Sequence, residues 1–277
     1  MRVTMATSQG DPRGDNEDFV AAVPNAAVLL DGAGISGIED ICHHGVAWYT
    51  HRLGGALIAR LSREDGRDLR DILGEAIEEV TDDHRDTCEV TDPSSPSATV
   101  ALLRVNEETA DYLVLSDSFL LLENKDSTTR VITDDREVAI RQRFTAPMLA
   151  TVKDTPDYEH AREEAIKGFR ASRNQPGGFW VAKNDPGAAQ EAVVGSVPNA
   201  DVVSATLLSN GASRIVDRFG LTDWPGVVAM LGNDRPAAII EKVREAEAND
   251  GQEADDATIA YCELSVSRPA EAAARRC

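Results

Sequence analysis

Positive charge is in short supply in this chain. Its 277 residues carry 28 Lys and Arg against 48 Asp and Glu, a formal net charge of −20. A balance this acidic gives no general attraction to phosphate backbones or anionic lipid, which argues against nucleic-acid and membrane partners. Aromatic residues are also few, at 5%, so the core is expected to be aliphatic, built from Ala, Val, Leu and Ile. No apolar run approaches the roughly 18 residues that suggest a membrane span. Met1–Ala6 lacks the apolar stretch of a secretory signal. Cysteine is limited to Cys42, Cys88, Cys262 and Cys277, with no two in Cys-x-x-Cys spacing. That spacing does not indicate structural zinc, and scattered thiols fit a reducing, cytoplasmic setting.

What is present reads as one domain over 1–267, followed by a frayed tail at 268–277. Hydrophobic residues make up 42% and charged residues 27%, an ordinary globular balance. Strand-like runs cover Val3–Ser8, Phe19–Val23 and Ala26–Leu30, the last two joined by a hairpin turn at Pro24-Asn25. Apolar residues then recur at helical spacing over His44–Leu61 and Asp68–Thr87. Further strands are expected at Ala98–Val105, Asp111–Leu115, Phe119–Glu123, Arg130–Thr133, Phe179–Ala182, Val202–Ser209 and Thr258–Val266. Asp134–Ala171 is helical in pattern, with Pro147 and Pro156 as breaks. Trp224–Leu231 and Pro236–Ala248 are helical too, and Asn174–Gly195 reads as a loop. Hairpin-linked strands with helices outside them make an α+β layered sandwich.

Four short acidic stretches are spread along the chain, three of them with carboxylates at or near the edge of an apolar, strand-like run. They are Arg13-Gly14-Asp15-Asn16-Glu17-Asp18, Leu29-Leu30-Asp31-Gly32, Leu115-Ser116-Asp117-Ser118 and Asp255-Asp256-Ala257-Thr258. Carboxylates projecting from strand ends into one place repel one another unless a cation lies between them. Oxygen donors of this kind suit hard cations such as magnesium or manganese.

The order of these motifs, from Arg13 to Cys262, resembles the metal-dependent Ser/Thr protein phosphatases of type 2C, in their bacterial form. The resemblance implies a four-layer α/β/β/α sandwich, with two antiparallel sheets flanked by helices. It implies two Mn2+ or Mg2+ ions and a third, looser one. Asp31 would bridge the two ions, with the Gly32 carbonyl beside it. Asp18 with Glu17 would hold one ion, Asp255 the other, and Asp117 the third. Arg13 would bind the substrate phosphate through its planar fork. Water activated between the ions would attack phosphorus in line, with no phospho-enzyme intermediate. The implied substrate is a phosphorylated protein, and the protein is expected to be a monomer.

Two departures from the family pattern stand out. Asn210-Gly211 occupies the position where Asp-Gly is usual, so Asn210 would offer an ion one neutral oxygen. Weaker ion binding, an inactive relative that binds without cleaving, and an engineered change that traps a ligand all fit that residue. Ala33 stands where many relatives place a His or Met, leaving His43 and His44 to be weighed as acids or as structural residues. A small phosphorylated metabolite is the alternative substrate, because a fold does not determine its substrate.

Overall fold

Alternation along strands and the 3.6-residue period along helices sort the apolar side chains into layers. The computed structural model describes residues 1–34 and 40–264. Its strands are β1 (Arg2–Ser8), β2 (Phe19–Val23), β3 (Ala26–Ala33), β4 (Ser97–Val105), β5 (Thr109–Leu115), β6 (Phe119–Asn124), β7 (Thr129–Ile132), β8 (Val193–Pro198), β9 (Val202–Leu208) and β10 (Ala257–Glu263). Its helices are α1 (Gly45–Leu61), α2 (Leu69–His84), α3 (Arg136–Leu149), α4 (Pro156–Ala171), α5 (Asn210–Asp217), α6 (Trp224–Asn233) and α7 (Pro236–Asp250).

Two five-stranded sheets result, in the orders β1-β10-β9-β6-β7 and β2-β3-β4-β5-β8. All their strand pairs are antiparallel. Along β3, Val28 and Leu30 face Leu53, Leu57, Ile72 and Leu73 of α1 and α2. Ala27 and Leu29 face the opposite way, toward Leu120, Leu122 and Leu207 of the other sheet. Beyond that second sheet, Leu121, Leu208 and Ile259 pack on Ile215, Val227, Ile239 and Val243 of α5, α6 and α7. The layers therefore run α/β/β/α, as expected, with an aliphatic core in each interface.

The β2–β3 hairpin turns at Pro24-Asn25, with Val23 paired to Ala26. Pro147 lies inside α3 near its C-terminal end and does not break it, contrary to expectation; the helix runs on to Leu149. Pro156 opens α4, where its missing N–H costs nothing, and the Thr155 hydroxyl caps the Tyr158 N–H at 3.3 Å. Phe179–Ala182 forms isolated bridges, Phe179 to Arg173 and Ala182 to Ala98, rather than a strand. Strand β8 and helix α5 were not expected. The C-terminal strand ends at Glu263, while Ser265, Val266 and the tail lie outside the described residues.

Candidate active site

Five chain segments meet at one edge of the sandwich. They are the β1–β2 loop, the end of β3, the β5–β6 turn, the β9–α5 junction and the residues entering β10. Asp31 follows the buried Leu29-Leu30 of β3, so its carboxylate emerges where the strand leaves the core. Its Oδ2 accepts the Asn210 backbone N–H at 2.7 Å, at the open first turn of α5. The Asn210 Nδ2 donates to Asp117 Oδ2 at 2.9 Å, which joins the two sheets' contributions.

The β1–β2 loop is held from the opposite side. Asp256 accepts the Gly10 N–H at 2.7 Å and the Glu17 N–H through its other oxygen. Asn16 Oδ1 accepts the Asp18 N–H at 2.9 Å, while Asn16 Nδ2 donates to Thr7 Oγ1 at 2.8 Å. Glycine is required at two of these junctions. A Cβ on Gly32 would lie 2.6 Å from the Glu17 carbonyl oxygen, and one on Gly211 would lie 2.0 Å from that of Asp256.

The electrostatics are those of carboxylates crowded in a partly dry place. Asp18 is only 4% exposed, and neither of its buried oxygens meets a hydrogen-bond donor in bonding geometry. Burial pushes it up to about 7, against a smaller opposing pull from the Thr258 and Ser209 hydroxyls. Burial also raises Glu17 to about 7, reinforced by Asp256, Asp255 and Asp15. Asp31 is held well above the ordinary carboxylate range by burial, then by the charges of Asp18, Asp117 and Asp255. Asp117 rises to about 7 through burial and the charge of Glu137, opposed by Arg141 and Asn210. A divalent cation is the partner that removes both the desolvation and the repulsion. Among the described residues, no three of these carboxylates each bring an oxygen within 4.8 Å of one another. Such a spread set fits ions that take one or two carboxylates each and keep several waters, as magnesium does.

The family pattern for protein phosphatase 2C matches residues 4–170, more than half of the chain. The chain belongs to the protein phosphatase 2C family. Solved structures agree at the level of the fold. A bacterial serine phosphatase is 15% identical, with a TM-score of 0.61, covering 97% of this chain and 100% of its own. The Mycobacterium tuberculosis serine/threonine phosphatase PstP is 18% identical, with a TM-score of 0.60, covering 95% of this chain and 98% of its own. PstP in complex with two manganese ions gives a TM-score of 0.55 at 18% identity, covering 95% of this chain and 97% of its own. No curated protein matches.

Within this phosphatase-2C fold, Glu17, Asp18, Asp31, Gly32, Asp117 and Asn210 come together through the contacts above. Asp255 stands beside them, raised by burial but half-exposed and paired with Arg214 at 2.6 Å. Arg13 is highly exposed and pairs with Asp11 at 3.2 Å. His43 and His44 make their contacts with Cys42, Cys88 and Trp48. Phe179 is buried and stacks on Phe169 at 4.7 Å, so it anchors its loop.

Three residues that shape this cluster were not among the candidates read from the sequence: Asp256, Arg214 and Glu137. Asp256 ties down the β1–β2 loop, Arg214 neutralises Asp255, and Glu137 accepts the Ser116 hydroxyl at 3.1 Å behind Asp117. Asp256 had a signal in its place beside Asp255. The other two lie on helices whose partners come from distant segments.

Proposed function

We propose that this chain is a metal-dependent phosphomonoester hydrolase acting on phosphoserine and phosphothreonine in proteins. The observation that carries this reading is the convergence of Asp18, Asp31 and Asp117, with both buried Asp18 oxygens lacking a partner. Asp31, Asp18 with Glu17, Asp255 and the Gly32 carbonyl would hold two Mn2+ or Mg2+ ions, and Asp117 with Asn210 a third. Bound divalent ions supply Lewis acidity and lower the pKa of water for in-line attack on phosphorus.

The chain's own residues do the positioning. Asp256 holds the Glu17 backbone, so Glu17 and Asp18 stay facing Asp31. Asn210 steadies Asp31 through its N–H and Asp117 through its amide nitrogen, leaving its Oδ1 as the donor to present to an ion. Arg13, on its exposed loop, would exchange Asp11 for the substrate phosphate.

A protein substrate is favoured by a cavity of about 420 Å³ that begins at Ala33 and Gly34, next to Asp31-Gly32. Arg141, Arg162, Arg170 and Arg173 line it together with Phe144 and Phe169 of α3 and α4. Cationic and apolar walls together suit a phosphorylated peptide better than a small metabolite. A second reading, a weakened enzyme or a binding protein, rests on Asn210, which takes one negative charge out of the site.

The test is aryl-phosphate hydrolysis against manganese concentration for this chain, Asn210→Asp and Asp31→Ala. Activity that rises with manganese, increases in Asn210→Asp and vanishes in Asp31→Ala supports the enzyme. Activity in Asn210→Asp alone supports the binding protein. Silence in all three folded proteins refutes a general phosphatase. Comparing phosphopeptides with small phosphoesters then separates the two substrate classes.

A further inference from the structure

Two cysteines and two histidines outside the acidic cluster meet where α1 begins. The Ile41 carbonyl accepts the Glu89 N–H at 2.9 Å, which pins the segment entering α1 to the segment leaving α2. That junction brings Cys88 Sγ to 3.1 Å from Cys42 Sγ across 46 residues of chain. Two of the four cysteines scattered along the sequence, Cys42 and Cys88, are thus brought together. His44 Nδ1 lies 3.4 Å from Cys88 Sγ and 3.8 Å from Cys42 Sγ. His43 Nδ1 lies 3.7 Å from Cys88 Sγ.

Cys42, His44 and Cys88 each bring a donor atom within 4.8 Å of the other two, close enough to share one ion. Tetrahedral zinc, with bonds of about 2.3 Å to sulfur and about 2.0–2.1 Å to nitrogen, sets sulfur–nitrogen edges of about 3.6 Å and a sulfur–sulfur edge of about 3.8 Å. The three sulfur–nitrogen distances, 3.4, 3.7 and 3.8 Å, lie on either side of that edge. The sulfurs are closer than the tetrahedral edge, yet far beyond the about 2.05 Å of a disulfide, and both thiols are free.

The surroundings suit a fixed, partly dry site. Cys42 is buried, and His44 and Cys88 are half-buried. The Trp48 ring stacks on His44 at 4.2 Å, and His84 stands edge-on to both rings.

We propose that Cys42, Cys88 and His44 form a zinc site, with His43 or a water molecule in the fourth position. Thiolate and imidazole donors select zinc, whereas the carboxylates of the active site select harder ions, so the two sites sort metals by donor chemistry. Binding exchanges two thiol protons for one Zn2+, giving two thiolate–zinc bonds and two released protons. Cys42 follows Gly32 by ten residues. Zinc therefore clamps the start of α1 to the exit of α2 and anchors the far end of the connection that begins at Asp31-Gly32.

The test uses the full chain, reduced, stripped with chelator and then titrated with Co2+. One equivalent is expected to produce a thiolate-to-cobalt charge-transfer band and intense tetrahedral d–d bands. One equivalent of Zn2+ should bleach them, and Mn2+ should not. Asp31→Ala should keep the bands, which separates this site from the phosphatase centre. Cys88→Ser should keep only the weaker charge-transfer band of the single Cys42 thiolate and weaken Zn2+ binding at least tenfold. The wild-type spectrum decides even if that variant fails to fold. Reduced, folded wild-type protein without the charge-transfer band overturns the proposal. Protein purified without added oxidant whose mass is lower by two hydrogens, with both thiols blocked, also overturns it and assigns a disulfide.

Discussion

Asn210 sits between two carboxylates and donates to both: its N–H to Asp31, its amide nitrogen to Asp117. Aspartate there would keep the first bond and turn the second into a contact between two anions. Asn210→Asp is therefore expected to destabilise the ion-free protein by about 1–3 kcal/mol, the cost of leaving a buried polar group unsatisfied. It should bind manganese more tightly. Thermal melts with chelator and with manganese check this, and the gain in Tm from manganese should be larger in the variant than in this chain. Gly32 makes a second prediction at the same scale. Its Cβ would meet the Glu17 carbonyl oxygen at 2.6 Å and Val46 Cγ1 at 2.7 Å. Gly32→Ala should cost about 1–3 kcal/mol through overpacking and should displace Glu17 from Asp31. A urea midpoint equal to that of the parent would show that the loop gives way without cost.

Helix α5 supplies the cation that pairs with Asp255. Arg214, in its last turn, reaches Asp255 at 2.6 Å and the buried Glu247 of α7 at 2.6 Å. Glu247 keeps a second partner in Arg244, at 2.7 Å. Arg214→Met thus leaves Glu247 paired and frees Asp255. If Asp255 holds an ion, manganese should bind several-fold more tightly in this variant, as read by calorimetric titration. An unchanged midpoint would remove Asp255 from the ion-binding set. The α3–α4 pair is joined to the sandwich by a separate small cluster, Ile140, Phe179 and Val181 with Phe144 and Phe169. Side chains along that pair can therefore be changed without touching the sheets.

The whole molecule is acidic, and its response to pH has a definite sign. Glu17, Asp18 and Asp117 are raised to about 7 in the folded state, against about 4 in an unfolded chain. Between those values the folded protein binds more protons than the unfolded one. The stability these groups contribute is full below about pH 4 and is lost as pH rises through about 7. Asp111 has the opposite sign, since the Ser196 and Arg104 bonds outweigh its burial and lower its pKa. Its contribution is lost only as pH falls below about 4. Urea midpoints of the chelated protein should accordingly fall between pH 5 and pH 8. Saturating manganese should flatten or reverse that fall, because it binds the ionised carboxylates. A chelated protein more stable at pH 8 would mean that these carboxylates are ionised without cost.

Local pattern determined the elements. The alternation of Val28 and Leu30 with Ala27 and Leu29, and the helical spacing of Leu69, Ile72, Leu73 and Ile77, are properties of neighbours in the chain. The acidic motifs were legible for the same reason, three of the four standing at or near the edge of an apolar, strand-like run. Helix α5 was hidden because it is short and opens on Asn-Gly, a turn signal. Strand β8 was hidden because its outer residues, Val193 and Val194, are exposed at the edge of the sheet. Only the tertiary structure decided that Asn210 lies between Asp31 and Asp117, that Arg214 faces Asp255, and that Cys42 meets Cys88. These contacts join segments tens to hundreds of residues apart. They exist because the packing of sheets and helices brings those segments together, and no local periodicity encodes that packing.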